Sequence, residues 1–485
     1  MRRVRRGEEG FAMIATIIVI TVAAMLAAVI LTEGSNADHN SGRDKNWTVA
    51  LHVADAGVEK SIAYLQVCLQ NNAPASCPGP PAGTTNEGSY ATSVTYLGRN
   101  RFQIDSTGNV GTVSSLKRHR NLRVILAPPP SFKYALFSNS DINTKNNDVI
   151  NGDVWANGSV EVFQNDSVNG SVDAATGWVH VDMGSCVSKN VHSGGSVGGI
   201  GIQVDGGNPK QSSGSTPADG CESSSNIGGN ATASSSTPAC LDDPGHNGYQ
   251  VANNGSIAKN AVTWSKVAIG GTVGGGRFTK VCTLASAVKP MPTIQSFNPA
   301  NYSPPGVLYT SVAAFQAYVN LNKAAFQGAF EVQGPGVIDL SGVQIAGDTT
   351  IVATDPTGTG AQPTLSAAID SNGLGAANNN DKILVLYSAY QPPSNTACES
   401  GGGNPGDCAI GMKNNFSITD NTATLLYAPN GPCLFKNNAT FDGAVYCSNI
   451  IVKNNQTVTY DTRVEQIVGF GPVTLQIDNW QERKG

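Results

Sequence analysis

NNDVINGDV, Asn146 to Val154, is followed 18 residues later by QNDSVNGSV, Gln164 to Val172. The pairs Asn147/Asn165, Asp148/Asp166, Asn151/Asn169, Gly152/Gly170 and Val154/Val172 coincide. A third V-x-x-x-V, Val187 to Val191, follows Val168 to Val172 at an offset of 19. Far downstream, LFKNNATF (Leu434 to Phe441) returns as IVKNNQTV (Ile451 to Val458) at an offset of 17, with Lys436/Lys453, Asn437/Asn454, Asn438/Asn455 and Thr440/Thr457 identical. A period near 18 is too short for a helix pair or a propeller blade. It suits one turn of a β-solenoid, a winding of short strands joined by tight corners. Val, Ile and Phe then stack inward, while Asn and Gly take the bends that need positive φ. Asparagines repeated at one corner are placed to hydrogen-bond from turn to turn. The alternative is a set of unrelated β-hairpins in a sandwich.

Outward from these repeats the chain divides by composition. Residues 134–289 read as the first solenoid part, interrupted over 206–254 by a Ser/Gly/Asn-rich surface insertion that contains Cys221 and Cys240. Apolar alternation resumes at Ile257, Val262, Val267, Ile269 and Val273. Residues 290–330 form a connector, proline-studded from Pro290 to Pro305, and then a helix over Ser311 to Ala325. Ser311 is its N-cap, and Val312, Phe315 and Val319 face inward, with Ala314, Tyr318 and Leu321 beside them. Residues 331–485 read as the second solenoid part, with strands at Val337–Ile345, Thr349–Val352 and Lys382–Tyr387 and last coils from Thr422 to Tyr460. The tail GFGPVTLQIDNW, Gly469 to Trp480, is expected to close the exposed solenoid end as a strand or lid, because open strand edges aggregate.

Upstream, Pro128-Pro129-Pro130 opens a stiff linker, 128–133. Residues 68–127 read as a small antiparallel sheet with strands at Tyr90–Leu97, Phe102–Ser106 and Leu116–Leu126, and turns at Gly98-Arg99-Asn100 and Gly108-Asn109. The basic run Lys117-Arg118-His119-Arg120 with Arg123 reads as a solvated edge strand blunted by charge. No aromatic platform is interleaved with it, so nucleic acid is not the expected partner. Residues 11–67 form a long helix. Phe11 to Thr32 are 22 uncharged residues, about 33 Å of helix, enough for the ~30 Å hydrocarbon core of a bilayer. Beyond them Trp47, Ala50, Leu51, Ala54, Val58, Ile62 and Leu65 recur at spacings of three and four, an amphipathic stripe with a soft point at Ser41-Gly42. The leader 1–10 carries Arg2, Arg3, Arg5 and Arg6, an excess that holds the N-terminus in the cytoplasm and sends the remainder across the inner membrane.

Bulk composition agrees. In 485 residues only 13% are charged while glycine numbers 55; the usual charged fraction is about 25%. That profile favours β-rich structure with many turns. A net charge of −5 excludes a general attraction to nucleic acid or anionic lipid. The ten cysteines lie beyond the apolar segment and include no C-x-x-C pair, which points to disulfides in an oxidising exterior and away from zinc. Closeness in sequence suggests Cys68–Cys77, Cys221–Cys240, Cys398–Cys408 and Cys433–Cys447, leaving Cys186 and Cys282; connectivity itself is not fixed by spacing.

The Gly10-Phe11 junction between a short basic leader and the apolar helix resembles the prepilin-peptidase site of type IV pilins. ALHVADAGVEKSI, Ala50 to Ile62, resembles the small-residue segment that follows the membrane span in PilX-type minor pilins. This resemblance covers residues 7–66. It implies cutting between Gly10 and Phe11 on the cytoplasmic side, retention of the helix, a helix-on-sheet arrangement, and assembly with other pilin subunits. Major pilins carry a glutamate five residues into the mature chain, where this chain has Ala15, so the resemblance implies a minor component or an unprocessed anchor rather than a major subunit. A cleaved secretory signal ending near Ala28 and a plain membrane anchor are the other readings of this segment.

The fold expected is therefore α+β and mostly β: a long N-terminal helix on a small antiparallel sheet, followed by a β-solenoid. The expected role is structural or adhesive, in a type IV pilus or a related secretion pseudopilus, with a surface glycan or protein as further ligand. No catalytic, metal or cofactor motif is present. His180 with Asp182 near His192 is the one metal or acid/base candidate, read as incidental on a repeat surface. Asp153, Asp166 and Asp173 sit at turns, where aspartate is common for backbone reasons. The runner-up is a membrane-anchored β-helix envelope protein or carbohydrate-active enzyme unrelated to pili.

Overall fold

A computed structural model describes residues 8–69, 77, 79–80, 82–98, 101–111, 118–127, 132–195, 200–205, 226–234, 250–263, 267–279, 281, 286–292, 297–299, 302, 304–376, 381–394, 396–400, 404, 406–466 and 476–483. The chain falls into two units, residues 1–127 with 474–485, and residues 128–473.

In the first unit helix α1 (Glu8–Leu69) runs unbroken through Ser41-Gly42 for 62 residues, about 93 Å. Its second half lies on a sheet whose strands are β1 (Gly83–Thr84), β2 (Ser89–Gly98), β3 (Arg101–Val110), β4 (Arg118–Ala127) and the C-terminal strand Gln476–Arg483, in that order. The buried helix face is Ala50, Val53, Ala54, Val58, Ser61, Leu65 and Leu69. Leu51 and Ile62, expected in it, are half-buried at its margin. On β3, Phe102, Ile104, Ser106 and Gly108 point at the helix. Gly108-Asn109 is therefore not a turn. Glycine is needed there because an added Cβ would strike Ala50 O and Ala54 N of the crossing helix. Gly57 answers it from the helix side against Ser106, and Ser106 Oγ donates to Ala54 O at 2.7 Å. Ala50 and Ala54 are thus where the helix backbone meets the strand backbone at Gly108, while Gly57 makes room for the side chains of Ser106, Thr92 and Tyr90.

Two further expectations are corrected. Strand β4 is not an edge, since β3 and the C-terminal strand flank it. Two of its basic residues are matched within the unit: Arg123 Nε donates to Asp105 Oδ1 at 2.7 Å, Arg120 pairs with Glu482, and the Arg120 guanidinium lies 3.9 Å over the Trp47 ring of α1. Of the tail, residues 476–480 are not a solenoid lid either, and residues 469–475 lie outside the described residues. Gln476–Arg483 pairs antiparallel with β4, because an alternating strand finds its open backbone partners on that sheet edge.

The second unit is a parallel ladder of short strands. Ser167 lies opposite Val149, and Val172 opposite Val154, both one 18-residue repeat apart. Val179 pairs with Val160 at an offset of 19 and Thr440 with Thr457 at 17. Valine, isoleucine, alanine and phenylalanine from each repeat face one interior, as with Ile150, Val168 and Val187 or Phe416, Phe435 and Phe441. Residues 226–234 and 250–254, read as part of a surface insertion, carry strands of the same ladder: Ala231–Ala233 pairs with Val191–Ser193 on one side and Ala261–Thr263 on the other. Two of their four inward apolar residues, Ala231 and Ala233, are alanine, too weakly apolar to stand out in sequence. The rest of that insertion, with Cys221 and Cys240, and also Cys282 and the 128–131 linker, lie outside the described residues.

The order of repeats in space differs from their order in sequence. From one end, the strands that pair in succession are residues 307–309, 326–333, 344–354, 382–388, 417–436 and 440–453. The next is residues 136–138, the beginning of the unit. The ladder then continues through 154–156, 172–174, 191–193, 231–233, 261–263 and 277–278. The chain thus enters at the middle, winds to one end, crosses to the other, and winds back until its last repeat seals against its first. The crossing is made by a connector over an outward column of aromatics in register: Tyr387, Tyr427, Tyr446, Phe137 and Trp155. Lys289 N donates to Asn157 Oδ1 at 3.0 Å, Asn157 Nδ2 donates to Lys289 O at 2.7 Å, and Tyr427 Oη donates to Pro292 O at 2.5 Å.

Two hydrogen-bond columns cross the seam. At the corner, Asn415, Asn437, Asn438, Asn454, Asn455, Asn147 and Asn165 all adopt positive φ, a conformation that asparagine tolerates better than other side-chain-bearing residues. Asn437 Nδ2 donates to Asn414 Oδ1 at 2.8 Å, Asn454 Nδ2 to Asn437 Oδ1 at 3.1 Å, and Asn146 Nδ2 to Asn454 Oδ1 at 3.4 Å. Inside, each side chain accepts an N–H from its neighbouring repeat. Ala439 N donates to Gln456 Oε1, Gln456 N to Asp148 Oδ1, Asp148 N to Asp166 Oδ1, and Asp166 N to Ser185 Oγ, at 2.6 to 3.1 Å. At the end beginning with Val307–Tyr309 lies helix α2 (Val312–Asn322). Ser311 Oγ caps it by accepting from Ala314 N, and Phe315 and Val319 sink into the interior.

Candidate functional sites

The apolar half of α1 is the first candidate. Ile17, Ile18, Ile20, Met25, Leu26, Ile30 and Leu31 are 54–74% exposed, on a helix long and apolar enough to cross a membrane. Farther along, the helix has a sheet to cover it; here it has none among the described residues. Gly10 and Phe11 fall in the first turns of α1, and residues 1–7 of the basic leader lie outside the described residues.

Disulfides join Cys68 to Cys77, Cys398 to Cys408 and Cys433 to Cys447, with Cα separations of 5.8, 5.1 and 5.9 Å. Cys186 is also disulfide-bonded; its partner lies outside the described residues. Cys433–Cys447 sits inside the ladder among core residues.

Carboxylates cluster in two different ways. Asp148 and Asp166 are buried at 0% and 1% exposure. Burial raises both carboxyls, and the Asp148 charge raises Asp166 further. Thr144 Oγ1 lies 2.5 Å from Asp166 Oδ2 and 3.1 Å from Glu161 O. A hydroxyl has one proton, so both contacts are satisfied when Asp166 carries a proton of its own. This pair faces the interior and presents nothing to a substrate. Asp153, at a turn, accepts from Ser171 N at 2.8 Å.

The second cluster is on an outer face. Strands 160–162, 179–181 and 200–204 align Glu161, His180 and Gln203 on successive repeats. One step on, Asp182 and Asp205 follow Val181 and Val204, which are themselves paired. His180, Asp182 and Asp205 bring ligand-type atoms within 4.8 Å of one another. His180 Nε2 is 2.9 Å from Asp205 Oδ2, while Nδ1 is 3.5 Å from Glu161 Oε1. Burial opposes charge on the imidazole, but Glu161 and Asp205 outweigh it and hold the His180 pKa above its ordinary value. Gln203 Nε2 donates to Asp205 at 3.1 Å, and the Trp178 ring stacks on the imidazole at 5.5 Å. The sequence pairing of His180 with Asp182 is therefore met in space. Asp205 and Glu161 escaped it because they come from neighbouring repeats, and only an alignment at offsets of 19 and 23 would have placed them. His192 does not join. It sits on the next face, with Nε2 2.7 Å from Ser234 Oγ and Nδ1 3.2 Å from Ser286 Oγ, and Asp173 at 3.6 Å.

No protein-family model matches this chain, and no curated protein matches it. Among solved structures it is similar to the competence-associated pilin ComZ from Thermus thermophilus, at 10% identity over 90% of this chain and 97% of that one, with a TM-score of 0.18. A superposition that loose carries no argument about fold or role.

Proposed function

We propose that this chain is a structural, non-enzymatic subunit related to the minor pilins of type IV pili or secretion pseudopili. In this reading α1 resides in the inner membrane with its N-terminus cytoplasmic. A prepilin peptidase cuts between Gly10 and Phe11, and the apolar half of α1 then packs among the helices of other pilin subunits. The observation that carries the reading is the division of α1. Its first half exposes large apolar side chains, while its second half is seated through Ala54, Gly57 and Gly108 on an antiparallel sheet. A rod with one end fixed to its own body and the other bare is what insertion into a bilayer, and later into a helix bundle, requires. Ala15, standing where a major subunit has a carboxylate, supports a minor position.

The second unit is a β-solenoid in this proposal. Parallel pairing at register offsets of 17 to 19 residues supports it, since every turn of a winding chain lies one repeat from the next. The solenoid is the spacer, tip cap or adhesive surface, its ligand a surface glycan or protein.

N-terminal sequencing of the exported protein tests the proposal. A mature chain beginning at Phe11 is expected. An intact Met1 in assembled fibres, or a cut near Ala28, overturns it.

A further inference from the structure

We propose that His180, Asp182 and Asp205 form a binding site for one divalent transition cation of the zinc class, with Glu161 as its positioning residue. The inference stands on the second unit alone and is independent of the pilus reading.

Asp182 and Asp205 occupy equivalent positions on adjacent repeats. Like charges placed directly opposite in a ladder repel, and Glu161 adds a third carboxylate on the repeat before. One imidazole is the cationic partner within the cluster, with Lys145 acting on Glu161 from farther away. A divalent ion among the three ligand atoms turns that repulsion into attraction. Both ring nitrogens of His180 face carboxylates. Nε2 points at the Asp205 carboxylate, and Nδ1 faces Glu161. A cation between Nε2 and Asp205 takes the place of the Nε2 proton, which is released to solvent, while Glu161 keeps the proton on Nδ1, the arrangement by which metal-bound histidines are oriented. Trp178 fixes the ring plane from one side, and Gln203 holds Asp205. One imidazole nitrogen with two carboxylate oxygens suits zinc and its neighbours better than magnesium or calcium, which prefer oxygen alone. Three protein ligands leave a position for water.

The test uses the full-length, tag-free chain in detergent with disulfides intact. It is stripped with a chelator and dialysed against Zn²⁺ alone, and bound metal is counted by elemental mass spectrometry. One equivalent is expected. His180→Ala and Asp205→Asn are each expected to abolish stoichiometric uptake, whereas Glu161→Gln keeps the stoichiometry but weakens affinity roughly 10–100-fold. Co²⁺ loaded in place of zinc is expected to show d–d absorption that disappears in His180→Gln. Asp182 is half-buried at a turn, so Asp182→Asn is the variant least exposed to misfolding, and it is expected to weaken binding at least tenfold. Failure of the parent chain to take up a stoichiometric ion overturns the proposal. So does unchanged affinity in a folded Asp182→Asn or His180→Gln variant. Either result identifies the cluster as an ion-pair network only.

Discussion

Replacing Asn454 with alanine tests the seam at which the last repeat closes on the first. The native residue sits at φ 45°. Its Nδ2 donates to Asn437 Oδ1 at 3.1 Å and its Oδ1 accepts from Asn146 Nδ2 at 3.4 Å. An alanine in the left-handed region costs about 1–2 kcal/mol. Two lost side-chain hydrogen bonds, partly exposed and one of them long, remove about 0.5 kcal/mol each, the lower end of the usual range. The sum for Asn454→Ala is about 2–3 kcal/mol. Glycine carries no penalty at that φ, so Asn454→Gly loses only the bonds, about 1 kcal/mol. The expected order of stability is wild type, then glycine, then alanine. Urea unfolding of the oxidised chain, followed by circular dichroism in parallel for all three, reads that order as successive falls in midpoint at unchanged slope. An alanine variant as stable as the glycine variant would refute the claim that the backbone bend selects asparagine here. If both matched wild type, the ladder would contribute nothing across the seam.

Four further outcomes are expected. Asp166→Asn retains an acceptor for Asp148 N and supplies a donor toward Thr144, so it copies the protonated acid. Because burial raises the folded pKa of Asp166 above its unfolded value, the stabilising proton is fully held below the ordinary carboxylate range and is lost as pH rises through the raised value. The variant should match wild type near pH 4 and be the more stable at pH 8, by about 1.4 kcal/mol for each pH unit between the ordinary and the raised pKa, read as a higher melting temperature; parallel melting curves against pH would contradict this. Gly108→Ala drives a methyl into the α1 backbone and should cost on the order of 3 kcal/mol or more as overpacking, read as protease cleavage within residues 45–110 while the second unit stays resistant. Gly443→Ala, at φ 153° with its Cβ against Thr424 O, should prevent correct closure. Gly342→Ala, at φ 69° with nothing within 4 Å of its Cβ, should cost only about 1–2 kcal/mol, so a larger loss there in a thermal melt would mean the glycines act through something other than space and backbone angle.

Local chemistry by itself determined a good deal. An uncharged run longer than a bilayer is thick can only be a spanning or packed helix, and a stripe at spacings of three and four has to find a surface. Asparagines at equivalent places in an 18-residue repeat mark corners, because few other residues tolerate positive φ. The Ser311 cap and the inward Phe315 and Val319 follow from the same short-range rules. Tertiary structure decided what depends on partners distant in sequence. Gly108-Asn109 has the composition of a turn, yet a crossing helix makes it the middle of a strand. The basic run on β4 has the composition of an edge, yet the last residues of the chain cover it. Repeats 17 to 19 residues long state how one turn follows another, but not that residues 440–453 stack beneath 136–138, about 300 positions away. That choice belongs to the aromatic column and the seam hydrogen bonds, whose energy appears only once both ends of the ladder are in place. The His180 face has the same origin: its four groups lie on three consecutive repeats, and lateral stacking is what turns three separate strands into one charged surface.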